Sequence, residues 1–460
     1  MPDQHPRTSL VLFTSDLRLH DHPPLRAALR EAEEVVPLFV RDEALEARGF
    51  APPNRAAFLA DCLADLDGGL RERGGRLVIR SGDVVRETCA VAAETDAARV
   101  HLAAGVSRYA RNRAERLSSA LAAEGRELVE HEAVVTALPP GEVTPGGGDH
   151  FAVFTPYFRR WSEQSLRTPL GAPRSVTVPR SVRSEPLPRR GEVAGVSPGL
   201  APGGESEARS RLASWRRSGL DAYEERHDDM AGDATSRLSP YLHFGAVSAA
   251  ECVARARAAG GAGAEAFVRQ LCWRDFHHQV LAARPASAEQ DYRTRGDHWR
   301  RGREAQAETA AWREGRTGYP VVDAAMRQLA HEGWMHNRGR LLTASFLTKT
   351  LYVDWRTGAE HFLSLLVDGD LANNQMNWQW TAGTGTDSRP NRVLNPVIQA
   401  RRYDPDGAYV RRWVPELREV GGGAVHEPWK LADRDRYDYP EPVVGLSEGL
   451  ERFKRARGKE

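Results

Sequence analysis

The chain has 460 residues, a formal net charge of +1, 41% hydrophobic and 28% charged residues, a composition that reads as globular and excludes a disordered polypeptide. No apolar run approaches the roughly 20 residues that a bilayer-spanning helix needs, and near-neutral charge means that any nucleic-acid site must be a local patch. The four cysteines, Cys62, Cys89, Cys252 and Cys272, are far apart with no CxxC pair, which excludes a disulfide framework and the common zinc modules and fits a reducing cytosol.

At roughly 150 residues per domain the length suggests about three units, or two with a connector. The opening MPDQHPRTSLVLF lacks a basic segment followed by an apolar core, so a cytoplasmic protein is expected. Ser9–Phe13, Val35–Val40, Arg76–Arg80, Arg99–Leu102 and Glu127–Glu130 are short β-rich runs. Between them, Phe58, Leu59, Cys62, Leu63, Leu66 and Leu70 recur at helical spacing, and Val84–Ala93 is a second helical stretch. Residues 1–135 therefore predict a Rossmann-like α/β domain, a parallel sheet covered by helices on both sides. The turn after the first strand, Thr14-Ser15-Asp16-Leu17-Arg18, has no glycine. A dinucleotide fingerprint needs glycines there, so a nicotinamide dehydrogenase falls in rank.

Residues 136–205 are rich in Pro, Gly and Arg and predict a connector. Its aromatic island, Val153–Trp161, reads as a packed anchor. Residues 206–460 carry helical patterns and predict an all-α domain.

Within that half, Thr235-Ser236-Arg237-Leu238-Ser239-Pro240 offers hydroxyls, a guanidinium and a Ser-Pro helix start, with Ser239 as the expected cap. Such a turn can cradle an anion, although Ser-Pro openings are commonly plain helix starts. Phe267, Gln270, Trp273 and Arg274 share one side of a helix. In GWMHNRGR, Asn337, Arg340 and Leu341 share a face; a buried Arg340 demands a carboxylate, with Asp368 and Asp370 available, and His336 reads as a packing residue. In DGDLANNQMNWQW, Asn374 and Trp378 lie one helical turn apart, while Trp380 points away from Trp378. One helix can thus address two chambers. No GxSxG, HExxH or Walker A motif is present and no metal site is expected, which leaves a bound organic cofactor to carry the chemistry.

TSRLSPYL, WRDF, GRTGYPVVDAAMRQL, GWMHNR, ASFLTK, DWRTGAEHF, DGDLANNQMNWQW and TGTDSRPNRVLNP, in this order, resemble the DNA photolyase/cryptochrome family. The likeness runs from LVLFTSDLRLHDHPPL to RRWVPEL and HEPWK, and is closest to class I cyclobutane pyrimidine dimer photolyases of actinobacterial type. It implies an FAD in the helical domain. Tyr223, Thr235, Ser236, Arg237, Leu238 and Ser239 match phosphate contacts; Phe267, Gln270, Arg274, Arg340, Asp368 and Asp370 match the rest of the pocket; Asn374 matches the asparagine facing flavin N5. Trp378, Trp355 and Trp299 resemble the electron-relay tryptophans.

The resemblance further implies UV-damaged DNA as partner, with Trp273 and Trp380 walling the lesion cavity, and Gln270, Asn337, Arg338, Leu341 and Gln399 as further contacts. Arg389, Arg392, Arg401 and Arg402 are expected to form a positive rim. Flipping of a lesion out of the stack by photolyases is an established example of base flipping. The implied activity is light-driven dimer repair by a monomer. A cryptochrome photoreceptor, a (6-4) photolyase and a redox flavoprotein without DNA are the alternatives. Gln270 stands where dimer photolyases usually carry glutamate and Leu341 where they carry methionine, yet Asn337 and Leu341 are not the histidines of the (6-4) branch. For the antenna, Arg108 and the stretch Arg284–Glu289 lack the folate-type glutamate and Cys-Lys pair. Ser107–Leu117 and Ala51–Leu59 resemble members using 8-hydroxy-5-deazaflavin, with Arg55 and Phe58 as contacts.

Overall fold

The computed structural model describes residues 7–47 and 49–458; residues 1–6, part of the opening read above for export, lie outside them. The chain divides into two compact units: Met1–Val196 with Ala201–Asp221 and Ser236–Pro285, and Ser197–Leu200 with Ala222–Thr235 and Ala286–Glu460.

The first unit is built on a five-stranded parallel sheet of order β3-β2-β1-β4-β5: β1 (Thr8–Phe13), β2 (Glu34–Asp42), β3 (Val78–Gly82), β4 (Arg99–Ala103) and β5 (Glu127–His131). Leu10, Leu12, Val36, Leu38, Val78, Val100 and Leu102 pack against Val91, Leu117 and Leu121 of the covering helices. Strands covered on both faces read as continuous apolar runs, which is why the sheet is visible in the sequence. β3 begins two residues later than the pattern predicts. The amide of Leu77 donates to Asp67 Oδ1 at 2.9 Å instead of entering the ladder.

The glycine-free turn after β1 is locked by its own side chains. Thr14 N donates to Asp16 Oδ1 (2.6 Å), and the buried Arg18 donates to the carbonyls of Asp21, Val134 and Gly245. Arg18 fills the place where a dinucleotide fold leaves room for backbone to meet pyrophosphate.

The expected division at residues 135 and 205 differs from these units, because Ser236–Pro285 packs with the sheet. Asp275, in the helix Ala262–Ala283, accepts from the amides of Ala137 (3.1 Å) and Leu138 (3.0 Å) and from Trp161 Nε1 (3.0 Å). Burial raises the Asp275 pKa, opposed by Arg274 and by these hydrogen bonds. The aromatic island of the connector forms the helix Phe154–Ser162, with Phe154, Tyr157 and Trp161 buried.

The second unit is helical. Its core includes Trp312, Phe346, Trp355, Phe362 and Trp378. Asp354, Asp370 and Asn395 cap the helices Trp355–Leu365, Leu371–Ala382 and Pro396–Tyr403, each accepting a backbone N–H of the first turn. Among the described residues no helix is long and apolar enough to cross a membrane.

Candidate functional site

Each unit carries part of the residue set singled out in the sequence. In the first, Ser239 opens the short helix Ser239–His243 and is not its cap: Leu238 holds that position, its hydrocarbon side chain cannot accept from the first-turn amides, and Pro240 leaves one fewer N–H there to satisfy. Arg237 holds a left-handed φ of 50°, uncommon for a side-chain-bearing residue.

Along the helix Ala262–Ala283 the four aligned residues meet different surroundings. Phe267 is buried, 4.6 Å from the ring centroid of Trp215. Gln270 is exposed. Arg274 is buried and donates to the carbonyls of Val135 (2.6 Å) and Leu242 (3.2 Å), so its guanidinium ties backbone together. Trp273 is half-buried. One face of its indole lies on Phe154 with centroids 3.7 Å apart and planes 5° from parallel, and Phe276 meets it edge-on at 5.5 Å. Arg269 lies 5.0 Å from the Phe154 centroid and 4.8 Å from that of Phe158. This cation and its rings hold Trp273 in one plane.

On the N-terminal sheet unit, Phe58 is completely buried, packed at 5.2 Å on Tyr241 and 5.0 Å on Phe244. That corrects its expected antenna contact: the ring belongs to the core. Arg55 is nearly buried and donates from Nε to Phe50 O at 3.2 Å.

In the second unit Arg340 Nη2 pairs with Asp368 Oδ2 at 2.7 Å, the carboxylate that a buried arginine requires, and Arg340 Nε donates to Met335 O at 2.9 Å. The other carboxylate oxygen, Asp368 Oδ1, is buried without a hydrogen-bond partner, as is Thr235 Oγ1. Buried polar atoms left so are costly and mark where a polar ligand belongs. Asp370 is the helix cap noted above and also accepts from Asn373 Nδ2 at 2.9 Å. Tyr223 is buried, 5.2 Å from His227.

Asn374 and Trp378 are both buried on the helix Leu371–Ala382. Asn374 Nδ2 donates to Ala359 O (3.1 Å) and Gln375 Oε1 (3.2 Å), which leaves its carbonyl end as an acceptor. Trp378 meets Phe362 at 4.9 Å and Trp312 at 6.1 Å, both edge-on. A Cβ on Gly358 would come within 2.1 Å of Trp378 Cη2, so only glycine at this helical position admits the indole. Trp355 is fully buried and donates from Nε1 to Asp291 Oδ1 (2.8 Å), with Arg356 over its ring at 4.7 Å. Trp299 is half-buried against Tyr352 at 4.9 Å.

Trp380, half-buried, carries Arg392 over its ring at 5.1 Å. Asn337 is exposed at the first position of the helix Asn337–Ser345; Leu341 and Gln399 are half-buried. Arg338, an expected DNA contact, pairs with Asp228 and stacks over Tyr403 at 4.3 Å. Of the expected rim, Arg401 pairs with Glu427, while Arg389, Arg392 and Arg402 are exposed. His336 packs as expected, accepting from Arg338 N at 3.1 Å, and burial pushes its pKa down to about 4.

Sequence reasoning placed Phe154 in a packed anchor without its stack on Trp273, and did not single out Gly358 or Trp312. Their signals, an aromatic in a proline-rich stretch, a mid-helix glycine and one of eleven tryptophans, gain meaning only from the stacking they make. Among the described residues no group of three or more His, Cys, Asp or Glu is placed to hold a metal.

Two family models match this chain: one described as DNA photolyase, over residues 9–175, and one described as the FAD binding domain of DNA photolyase, over residues 267–459. It is 66% identical over 453 residues to the deoxyribodipyrimidine photo-lyase of Streptomyces griseus, covering 98% of this chain and 99% of that one. Among solved structures it resembles a class III photolyase from Agrobacterium tumefaciens (TM-score 0.90, 32% identity, 98% and 97% of the two chains). It also resembles a cryptochrome from Synechocystis (TM-score 0.91, 29% identity, 98% and 99%).

Proposed function

The chain belongs to the DNA photolyase family, and from that membership we infer that it is a deoxyribodipyrimidine photolyase, an FAD enzyme that repairs cyclobutane pyrimidine dimers in UV-damaged DNA with light. The observation that carries the reading is the 66% identity to the Streptomyces griseus enzyme over 98% of the chain.

The residues fit the cofactor. The unpartnered Thr235 Oγ1 is suited to a phosphate, and the Arg340–Asp368 pair, with Asp368 Oδ1 unsatisfied, to a polar ring edge. We assign flavin binding to these three residues, with Tyr223, Asp370 and Asn374 of the same unit as further contacts; the family's other expected contacts, Ser236 to Ser239, Phe267, Gln270 and Arg274, lie in the first unit. When bound, photoexcited reduced FAD supplies the electron that opens the cyclobutane ring and takes it back. The chain's own part is positional. Asn374 presents an amide that accepts without adding charge. Trp378, Trp355 and Trp299 relay electrons inward. Trp273 in the first unit and Trp380 in the second each offer a flat apolar ring on which an extruded base can stack, and the bases of a dimer are already poorly stacked and cost less to flip. Asn337, Leu341, Gln399, Arg389 and Arg392 complete the DNA contacts. The enzyme acts as a monomer in the cytoplasm.

A second chromophore of the 8-hydroxy-5-deazaflavin type, contacted by Arg55, is the proposed antenna; a folate absorption band in the purified protein would overturn it. Gln270 and Leu341 make the lesion the point to test. Blue light should restore dimer-containing strands and leave (6-4) lesions intact. Repair of (6-4) lesions alone would reassign the enzyme, and repair of neither would favour a cryptochrome.

A further inference from the structure

Lys349 is one of only four lysines in the chain, and it is 2% exposed. It sits in the π-helical segment Phe346–Thr350 that continues the helix Asn337–Ser345. Such widened turns are rare and often functional. A buried ammonium is costly unless it is well bonded; a methionine would fill the same space without that cost. What Lys349 gains is a pair of backbone carbonyls: Nζ donates to Pro390 O at 2.9 Å and to Arg392 O at 2.6 Å. Both belong to the loop between the helices Leu371–Ala382 and Pro396–Tyr403.

Other ties converge on the same loop. Leu394 N donates to Ser345 Oγ at 3.1 Å, and Arg389 N to Asp387 Oδ1 at 2.8 Å. Gly383, at φ 83°, starts the loop; a Cβ there would meet Pro390 O at 2.3 Å, so the start of the loop folds back onto Pro390 only because residue 383 is glycine. The residue whose carbonyl Lys349 grips, Arg392, is the one whose guanidinium covers Trp380 at 5.1 Å. The charges around the ammonium are mixed: Asp387 and Asp297 favour it, Arg457 and Arg392 oppose it, and the Phe453 ring lies 5.5 Å away. Burial lowers the Lys349 pKa to about 7, but an amine in either charge state has hydrogens for both carbonyls.

We propose that Lys349 is a positioning residue for lesion binding: it pins the loop 383–395 so that Arg392 covers one face of Trp380 and fixes the indole for stacking on a flipped base. The proposal rests on the reading of Trp380 as a wall of the lesion site. It does not touch DNA itself, and it explains why a lysine, buried and without a carboxylate at hydrogen-bond distance among its described contacts, stands at this position.

The test uses the flavin-loaded enzyme and its Lys349→Met, Lys349→Gln and Lys349→Arg variants. Two quantities are read: amide hydrogen exchange of residues 386–394 without DNA, and dark affinity for a duplex carrying one thymine dimer against the same duplex undamaged. Lys349→Met removes both donors. Loop exchange should rise and dimer affinity fall by about tenfold, the scale of one lost stacking contact, with flavin content and undamaged-duplex affinity nearly unchanged. Lys349→Arg, which keeps two donors, should restore both; Lys349→Gln should lie between and serves if the methionine variant does not fold. Unchanged loop exchange in Lys349→Met, or faster exchange with undiminished dimer affinity, overturns the proposal. Trp380→Ala with full dimer affinity overturns it by a different route, by removing the stacking wall while the loop effect stands.

Discussion

Trp273 lies flat against Phe154, with ring centroids 3.7 Å apart and planes 5° from parallel. One residue comes from the helix expected to bind the lesion and the other from the proline-rich connector. Phe154 thereby occupies one face of the indole, so a base in the proposed lesion site would stack on the other. Phe154→Ala should release the ring and weaken dimer-duplex affinity by roughly tenfold, the value of an aromatic pair at about 0.5–1.5 kcal/mol plus lost packing. Phe154→Tyr should keep it. Fluorescence anisotropy with damaged and undamaged duplexes reads the difference; equal loss on both duplexes would assign Phe154 to general folding.

The Arg340–Asp368 pair should be needed for flavin retention. Arg340→Met leaves a carboxylate that is nearly fully buried without its partner at 2.7 Å. Breaking a buried pair costs about 3–5 kcal/mol, and the partial exposure of Arg340 puts this one at the low end. The ratio of flavin to protein absorbance after purification should fall well below that of the parent, with a lower unfolding midpoint in urea. Undiminished flavin content would detach the pair from the cofactor site.

Trp378→Phe should separate two light reactions. The smaller ring keeps an aromatic against Phe362 and above Gly358, so the fold survives. Photoreduction of the bound oxidised flavin should slow by roughly tenfold or more, while repair by chemically reduced enzyme persists, because the relay only charges the cofactor. Transient absorption and a dimer assay read these separately. Unaltered photoreduction would redirect the relay through Trp312, which meets Trp378 edge-on at 6.1 Å.

Acid should loosen the start of the helix Asn337–Ser345. His336 accepts from Arg338 N only while its Nδ1 is unprotonated, and its pKa is held down at about 4 by burial. Unfolded, a histidine titrates near 6.5, so between those values the unfolded chain binds more protons and stability falls as pH falls. The loss should reach up to roughly 3 kcal/mol by pH 4. Urea melts of the parent and His336→Gln at pH 7.5, 6 and 5 isolate it: the variant should show a shallower decline. His131 and His361, also pushed down to about 4, contribute to the decline that remains, as do His101 and His426, lowered by burial too.

The parallel sheet was legible because strands buried on both faces write apolar runs into the sequence. The need of Arg340 for a carboxylate was legible too, but the residues alone left Asp368 and Asp370 both open, and the structure pairs it with Asp368. What stayed hidden was set by contacts remote in sequence. Asp275 bonds to backbone at Ala137 and Leu138, which draws a helical segment into the sheet unit against its own composition. Phe58 has helical spacing whether its ring faces a ligand or the core, and only its packing on Tyr241 and Phe244 decides. The partners of Arg338, Asp228 and Tyr403, are 110 and 65 residues away in sequence, so no local pattern points to them.

The most direct measurement is dimer content in a defined thymine-dimer oligonucleotide mixed with the reduced, flavin-loaded enzyme, followed in blue light and in darkness. Intact dimers should disappear under illumination, persist in the dark, and be restored to two unmodified thymines. Dimers that survive illumination with reduced flavin bound would contradict the account.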